Sequence, residues 1–325
     1  MKENLVNFPR RTSLRQLRAL GAVTSAKSIS AAAQLLSVTP PAVSQQLQLL
    51  EDTLGGVPLY ERTATGLRPT EAGREVLTAL ERIEAALTDC ATAIDALHGI
   101  GGGRVSVGVI STAQYFAPFA LSAFQQQHPM VEMRILVGNR ADMISGLEKF
   151  NLDLALMGYP PEHFAVDREI IGDHPHVMIA APDHWLAKRR AVPLAEVARE
   201  TILLREAGSG TRALMLSLFS AAGLPSGPRT EIGSNETIKH AVMAGMGVAL
   251  VSGHIVAAEV ADGRLAILDV DGLPIVRQWF VVRRSERRPL PAAQALWEHL
   301  QRSGAQFLPK TPTVKAANPR RSGRG

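Results

Sequence analysis

Seven apolar residues, Val76, Leu80, Ile83, Leu87, Cys90, Ile94 and Leu97, recur at spacings of 4, 3, 4, 3, 4 and 3. This run constrains the fold more than any other feature of the chain. Only a helical period lines up such positions, so it predicts one long helix with a narrow apolar stripe. A stripe flanked by polar residues suits a partner helix better than a globular core, and all seven residues are expected in a dimerisation seam. Cys90 lies on the stripe and reads as a small buried hydrophobe rather than a nucleophile. Thr70 is a good N-cap and Glu71 suits the positive end of the helix dipole. Gly101-Gly102-Gly103 then breaks the helix and reads as a hinge or linker. The 325 residues thus divide into a head at 1–69, the helix at 70–99, a body at 100–309 and a tail at 310–325.

Charge follows the same division. Residues 1–50 carry six basic groups and one acid, residues 51–98 are net acidic, residues 99–309 balance, and the tail has five basic groups and no acid. A basic head on a neutral body has two readings: a polyanion partner at the N-terminus, or a solvated terminus. Pro, Gly and Arg in the tail predict disorder there. One cysteine excludes an internal disulfide framework and a Cys-based zinc site, so no metal is expected. The N-terminus lacks the apolar stretch of a secretory signal, and no run reaches the roughly 18 apolar residues of a membrane span. The expected setting is the cytoplasm.

The head decides between the two charge readings. Ser13 and Gln16 form a capping box, and Leu17, Leu20 and Val23 follow at helical spacing. A second short helix starts at Ser30. A third starts at the cap Thr39 with Pro40 at N1, runs through Val43, Leu47, Leu50 and Leu54, and stops at Gly55. Its outward face reads Pro41, Ser44, Gln45 and Gln48. Amides suit adenine edges in the major groove, and a helix N-terminus suits a phosphate. Residues 57–69 read as a hairpin wing that places Arg62 and Arg68 beside that helix. The head is therefore a winged helix-turn-helix whose partner is double-stranded DNA. The contacts assigned to it are Ser28, Ser30, Thr39, Pro40, Pro41, Ser44, Gln45, Gln48, Arg62 and Arg68.

From Arg104 the pattern becomes α/β. Candidate strands are 104–110, 131–137, 152–157, 176–181, 201–204, 229–232, 248–251, 265–269 and 275–283, with helical runs between most of them. Largely parallel sheets in two lobes around a ligand crevice are expected. Ser111 and Thr112 follow a strand and precede a helix, Asn139 ends a strand, and Thr211, Ser234 and Asn235 lie at two further helix starts. Arg205, Arg212 and His176 are assigned the positive charge for a phosphate or carboxylate, although Arg205 is equally read as the ion-pair partner of Glu206. Either member of the His174 and His176 pair also reads as a structural histidine. No catalytic residue is assigned, because the chain contains none of the P-loop, H-E-x-x-H or G-x-S-x-G patterns. An enzyme and a solute-binding protein are the rival readings, and the helix-turn-helix argues against both.

SLRQLRAL at 13–20, SISAAAQLLSVTPPAVSQQLQLLEDTLG at 28–55, PLYERT at 58–63 and GLRPTEAG at 66–73 resemble the head of LysR-type transcriptional regulators. In the body, VGVISTAQYFAP, VGNR, DLALMGYPP, HPHVMIAAPDH, LLREAGSGTR and GSNETIKHAVMAGMGVALVS resemble the subgroup that activates CO2-fixation (Calvin-cycle) operons. The resemblance spans about 13–305. It implies a two-lobed domain of periplasmic-binding-protein type, a linker helix that dimerises, dimers of dimers on DNA at the nucleoid, a small phosphorylated effector, no cofactor, and contact with RNA polymerase. The chain departs from the family at Pro40, where Gln is usual, and at Gln45, where Arg is frequent. Gly55-Gly56 is one residue longer than the usual turn before the wing.

Overall fold

The computed structural model describes residues 8–97, 102–225 and 229–311. Gly101 of the linker and the basic tail from residue 312 lie outside the described residues. The chain forms two compact units, Met1–Ala91 and Thr92–Gly325.

The first unit is built from α1 (Leu14–Ala26), α2 (Ile29–Leu35), α3 (Pro40–Thr53), β1 (Tyr60–Thr63), β2 (Gly66–Pro69) and the start of α4 (Glu71–Leu97). Ser13 and Gln16 form the reciprocal capping box at the start of α1. Leu17, Leu20 and Val23 of α1 bury against Val43, Leu47 and Leu50 of α3. The wing is an antiparallel hairpin in which Glu61 faces Arg68 and Arg62 faces Leu67. Its turn docks on the end of α1: Leu67 N–H donates to the Lys27 carbonyl at 3.0 Å. A Cβ at Gly66, whose φ is 113°, would stand 2.6 Å from that carbonyl oxygen, so only glycine fits there.

The long helix divides its stripe between two duties. Val76 and Leu80, which the spacing assigns to the seam, belong to the core of the head and are 8% and 9% exposed. A winged helix-turn-helix is too small to close its core without a fourth helix, so the first two turns of the stripe are covered from within. Ile83, Leu87 and Ile94 remain exposed. Cys90 is exposed as well, not buried within the single chain. The side chain of Leu97 lies outside the described residues.

The second unit continues with β3 (Arg104–Ile110), α5 (Ala117–Gln127), β4 (Glu132–Gly138), α6 (Arg140–Glu148), β5 (Leu154–Met157) and β6 (Val166–Ala180). Then follow α7 (Leu194–Val197), β7 (Ile202–Arg205), α8 (Gly210–Ala221), β8 (Arg229–Ile232), α9 (Asn235–Met243), β9 (Ala249–Ser252), α10 (Ala257–Ala261), β10 (Ala266–Ile267), β11 (Ile275–Arg284) and α11 (Pro291–Ser303). The strands form two lobes. In lobe I, β3 pairs in parallel with β4 and β5. In lobe II, β7 pairs in parallel with β8, while β9 and β10 pair antiparallel with the end of β6. The sheets are therefore mixed rather than largely parallel. The reason is β6 and β11, which pair antiparallel along most of β11. The chain crosses from lobe I to lobe II in β6 and returns in β11, and two crossings between the same lobes run in opposite directions.

Each lobe buries both faces of its sheet, and the pleat sorts the residues. Leu154 and Leu156 face α5 and α11 in one core, whereas Ala155 and Met157 face α6 in another. In lobe II, Met178 and Ala180 pack with α8, and Val177 and Ile179 pack with α9.

Candidate functional site

On the head, α3 hides Val43, Leu47 and Leu50 and exposes Pro41, Ser44, Gln45 and Gln48. Pro40 stands at the start of α3, behind the cap Thr39, whose side chain makes no capping bond. The first-turn N–H groups of α3 are consequently not tied up by that side chain. Gln48 donates from Nε2 to Asp52 Oδ1 at 2.9 Å, which pins its amide along the helix. Ser28 caps α2 by position and Ser30 is exposed in its first turn. Arg62 is exposed on the wing. Arg68 is exposed too, but its Nε is 2.7 Å from Glu61 Oε1, so its charge is partly offset within the wing. Leu59 N–H donates to Glu51 Oε1 at 2.8 Å and anchors the wing to α3. Gly55 and Gly56 both take positive φ, 79° and 80°, so the extra residue is absorbed in a left-handed turn between the two.

The second unit holds a narrow cavity of about 30 Å³ between its lobes. Lobe I supplies Ser111 and Thr112 beyond β3, Asn139 and Arg140 at the start of α6, and Gly158 and Tyr159 beyond β5. Lobe II supplies Arg205 from β7 and Ser209, Gly210 and Thr211 at the start of α8. The crossing strands supply His174, His176 and Arg277. The lobes are stitched together at its floor. Arg205 Nη2 and Asn235 Nδ2 each donate to Ser111 Oγ at 3.3 Å, Arg205 Nη1 donates to Asn235 Oδ1, and Asn139 Nδ2 donates to Glu206 Oε1 at 3.4 Å. Asn139 also caps α6 and Ser209 caps α8, so two helix N-termini face the cavity.

Electrostatics separate the cationic side chains. Arg205 is buried and makes a two-pronged pair with Glu206, at 2.7 Å and 2.9 Å. Burial is the largest influence on Glu206 and raises its pKa, yet hydrogen bonds from Arg205 and Asn139 hold the carboxyl below the ordinary range. His176 is pulled down to about 4 by burial, then by Arg277. Burial also holds His174 well below its usual value; its ring stacks on Trp279 at 3.7 Å, and neither ring nitrogen has a hydrogen-bond partner. A Cβ on Gly158 would stand 2.6 Å from His174 Nδ1, which explains glycine at that wall. The imidazoles are thus neutral at pH 7. Arg140 donates to the carbonyls of Tyr159 and Pro160 at 2.9 Å and 3.1 Å, and both Arg140 and Arg277 stand over the Tyr159 ring.

Of the residues assigned from sequence, Ser111, Thr112, Asn139, His176, Arg205 and Thr211 line the cavity. Asn235 lies directly behind Ser111. Ser234 does not reach it; its hydroxyl caps α9 by accepting from Thr237 N–H at 3.4 Å. Arg212 does not reach it either. Its guanidinium pairs with Glu231 and donates to the Arg205 carbonyl at 3.0 Å, facing an adjoining outer cleft. The three groups expected to carry the positive charge are therefore a paired arginine, a neutral histidine and an arginine turned away. Sequence reasoning missed Arg140, Tyr159 and Arg277. Arg140 was within reach, because it follows the capping Asn139 at a helix start. Arg277 gave no local signal, since it is one basic residue in a strand 100 or so positions from its neighbours in space.

A head with an exposed recognition helix and wing, carried on the same chain as a two-lobed unit with a polar cavity between its lobes, defines a DNA-binding regulator with a small-molecule domain. Residues 14–74 match the bacterial regulatory helix-turn-helix model of the lysR family, and residues 98–305 match the LysR substrate binding domain. The chain belongs to the LysR family of transcriptional regulators, which is not a family of enzymes. It is 51% identical over 302 residues to the HTH-type transcriptional regulator CbbR of Xanthobacter flavus, covering 92% of this chain and 90% of that one. The RuBisCO operon transcriptional regulator of Allochromatium vinosum is 40% identical over 295 residues, covering 91% and 97%. Among solved structures, the Synechocystis PCC6803 CcmR regulatory domain in complex with 2-PG has a TM-score of 0.60 at 33% identity, covering 64% of this chain and 99% of that one. Full-length CbnR in complex with its target DNA has a TM-score of 0.64 at 24% identity, covering 90% and 100%, a likeness of fold.

Proposed function

We propose that this chain regulates transcription of CO2-fixation genes in response to a small phosphorylated or carboxylated anion bound between its lobes. The observation that carries the reading is the 51% identity to CbbR of Xanthobacter flavus, which extends over 92% of the chain and so takes in head, long helix and lobes alike. In this reading residues 1–69 bind operator DNA through Ser44, Gln45, Gln48, Arg62 and Arg68. The helix at 70–99 pairs two copies through Ile83, Leu87 and Ile94, and two dimers engage one promoter and contact RNA polymerase in the cytoplasm. Residues 100–309 hold the effector against Ser111, Thr112 and Thr211. The complex of CcmR with 2-PG supports 2-phosphoglycolate as the first effector to try.

A ligand shifts such a protein only by binding one lobe arrangement better than another, and a tenfold difference corresponds to about 1.4 kcal/mol. The test is a footprint on the RuBisCO operon promoter with and without 2-phosphoglycolate. The expected result is protection in both cases, with a change in its extent or spacing when the ligand is present. Protection confined to the promoter of another metabolic operon overturns the assignment to CO2 fixation.

A further inference from the structure

We infer that Arg140 and Arg277 form a phosphate clamp at the mouth of the cavity, so that an effector binds with its phosphate outward and its other end on the hydroxyl-lined floor. The inference rests on the reading of the interlobe cavity as the effector site, and it adds the direction in which the effector lies.

The floor carries no uncompensated charge, because Arg205 is neutralised by Glu206 and the two imidazoles are neutral. Arg140 and Arg277 differ from it. Both line the cavity and also the outer cleft of about 510 Å³ that adjoins it. Among the described residues neither has a carboxylate ion-pair partner, and burial pulls both guanidinium groups below their ordinary pKa. The Arg140 charge pulls Arg277 down further. Glu162 acts on Arg140 from a distance, but its carboxylate accepts the Tyr159 hydroxyl. Two like charges held half-buried on one tyrosine ring, 4.9 Å and 5.4 Å from its centroid, repel each other without an anion between them. A dianion relieves both the repulsion and the desolvation, and guanidinium forks match phosphate oxygens. The floor, with Ser111, Thr112 and Thr211, suits the hydroxyl or carboxylate end of the same molecule.

The test is calorimetric titration of the full-length protein with 2-phosphoglycolate, glycolate and inorganic phosphate. Wild type should bind 2-phosphoglycolate and inorganic phosphate, and prefer 2-phosphoglycolate to glycolate by at least about tenfold, the scale of charge-assisted hydrogen bonds. Arg277→Gln and Arg140→Gln should remove inorganic phosphate binding and bring that preference near unity. Thr112→Ala should weaken 2-phosphoglycolate and glycolate alike and leave inorganic phosphate binding unchanged. Arg277→Lys, which keeps the charge without the fork, should retain an intermediate preference and serves if the glutamine variant does not fold. The clamp is overturned if wild type ignores inorganic phosphate, or if Thr112→Ala abolishes phosphate preference while Arg277→Gln keeps it. Failure of the wider reading looks different: phosphate and 2-phosphoglycolate bind through the arginines, yet no promoter footprint responds.

Discussion

Tyr115 of lobe I donates its hydroxyl hydrogen to Glu236 of lobe II, a link between the lobes outside the cavity. Burial, and then this hydrogen bond, push the Tyr115 hydroxyl up to about 12. The buried Lys239 supports the pair from below: its Nζ is 3.0 Å from Glu236 and 2.9 Å from Glu259, and it stands 5.0 Å from the centre of the Tyr115 ring. Tyr115→Phe keeps the ring and deletes the latch. The expected outcome is that the contact between the lobes weakens by about 1 kcal/mol, read as a roughly fivefold weaker affinity for 2-phosphoglycolate. Titration calorimetry measures it, and tighter binding by the variant would show that the latch holds a non-binding arrangement instead.

The wing arginines should behave differently from one another. Arg62→Ala should weaken binding to all DNA and reduce the salt slope by about 0.9 for one lost phosphate contact. Arg68→Ala should have a smaller effect, because Glu61 already offsets its charge, and Glu61→Gln should strengthen non-specific binding. Gln48→Ala should cost roughly 1–3 kcal/mol on the operator and less on random sequence. Fluorescence anisotropy across a salt series, on both DNAs, distinguishes the three; equal loss at Gln48 on both would rule it out as a base reader.

Residues of the long helix fall into two groups that mutation separates. Leu87→Asp with Ile94→Asp should give monomers by light scattering while thermal unfolding of the head is unchanged. Leu80→Asp places a charge in the core of the head and should destabilise it by about 3–5 kcal/mol whatever the association state. If the Leu87/Ile94 double variant kept its mass, the exposed stretch of the helix would not be the pairing surface.

Acid should weaken the second unit before its carboxylates are protonated. His176 and His254 titrate at about 4 in the fold because burial disfavours their charged forms, against about 6.5 when unfolded, and His174 shifts the same way. Between those values the unfolded chain binds more protons, so stability falls as pH drops below 6.5, by up to about 1.4 kcal/mol per pH unit for each histidine. Above pH 6.5 these groups contribute no slope. Melting curves at pH 7.5, 6.0 and 5.0 for wild type and His176→Gln check this; an identical loss in the variant would place the acid sensitivity elsewhere.

The sequence made the head legible because its signals are local. The Ser13–Gln16 box, Pro40 behind Thr39, and Gly55 each act within one helical turn, and the helices start and stop within a residue or so of where those signals fall. Hydroxyl groups at helix starts were legible for the same reason, which is why Ser111, Thr112 and Thr211 stand at the cavity. Three things were not local. The first ten residues of β6 include Asp167, Arg168, Glu169, Gly172 and Pro175, a poor strand by propensity, and the segment is extended because β11 pairs with it. The division of the long stripe depends on how much core the three head helices leave open. The pairing of Arg205 with its neighbour Glu206 was one of the two readings the sequence offered, but that of Arg212 with Glu231, 19 positions away, was not, and no spacing rule reports such a partner.

The two crossing strands also bear on how the protein is made. His176 of β6 and Ile275 of β11 are register partners, so the chain between them leaves and re-enters at one place. Lobe II is in effect an insertion into lobe I, and its ends are neighbours. Lobe I cannot complete its sheet until β11 has left the ribosome, long after β3, β4 and β5 have emerged. Those early strands must wait with one edge unpaired while the inserted lobe, whose β7–β9 and α8–α9 are contiguous in sequence, is free to form first. A truncation before Ile275 would therefore leave a lobe that folds attached to one that does not.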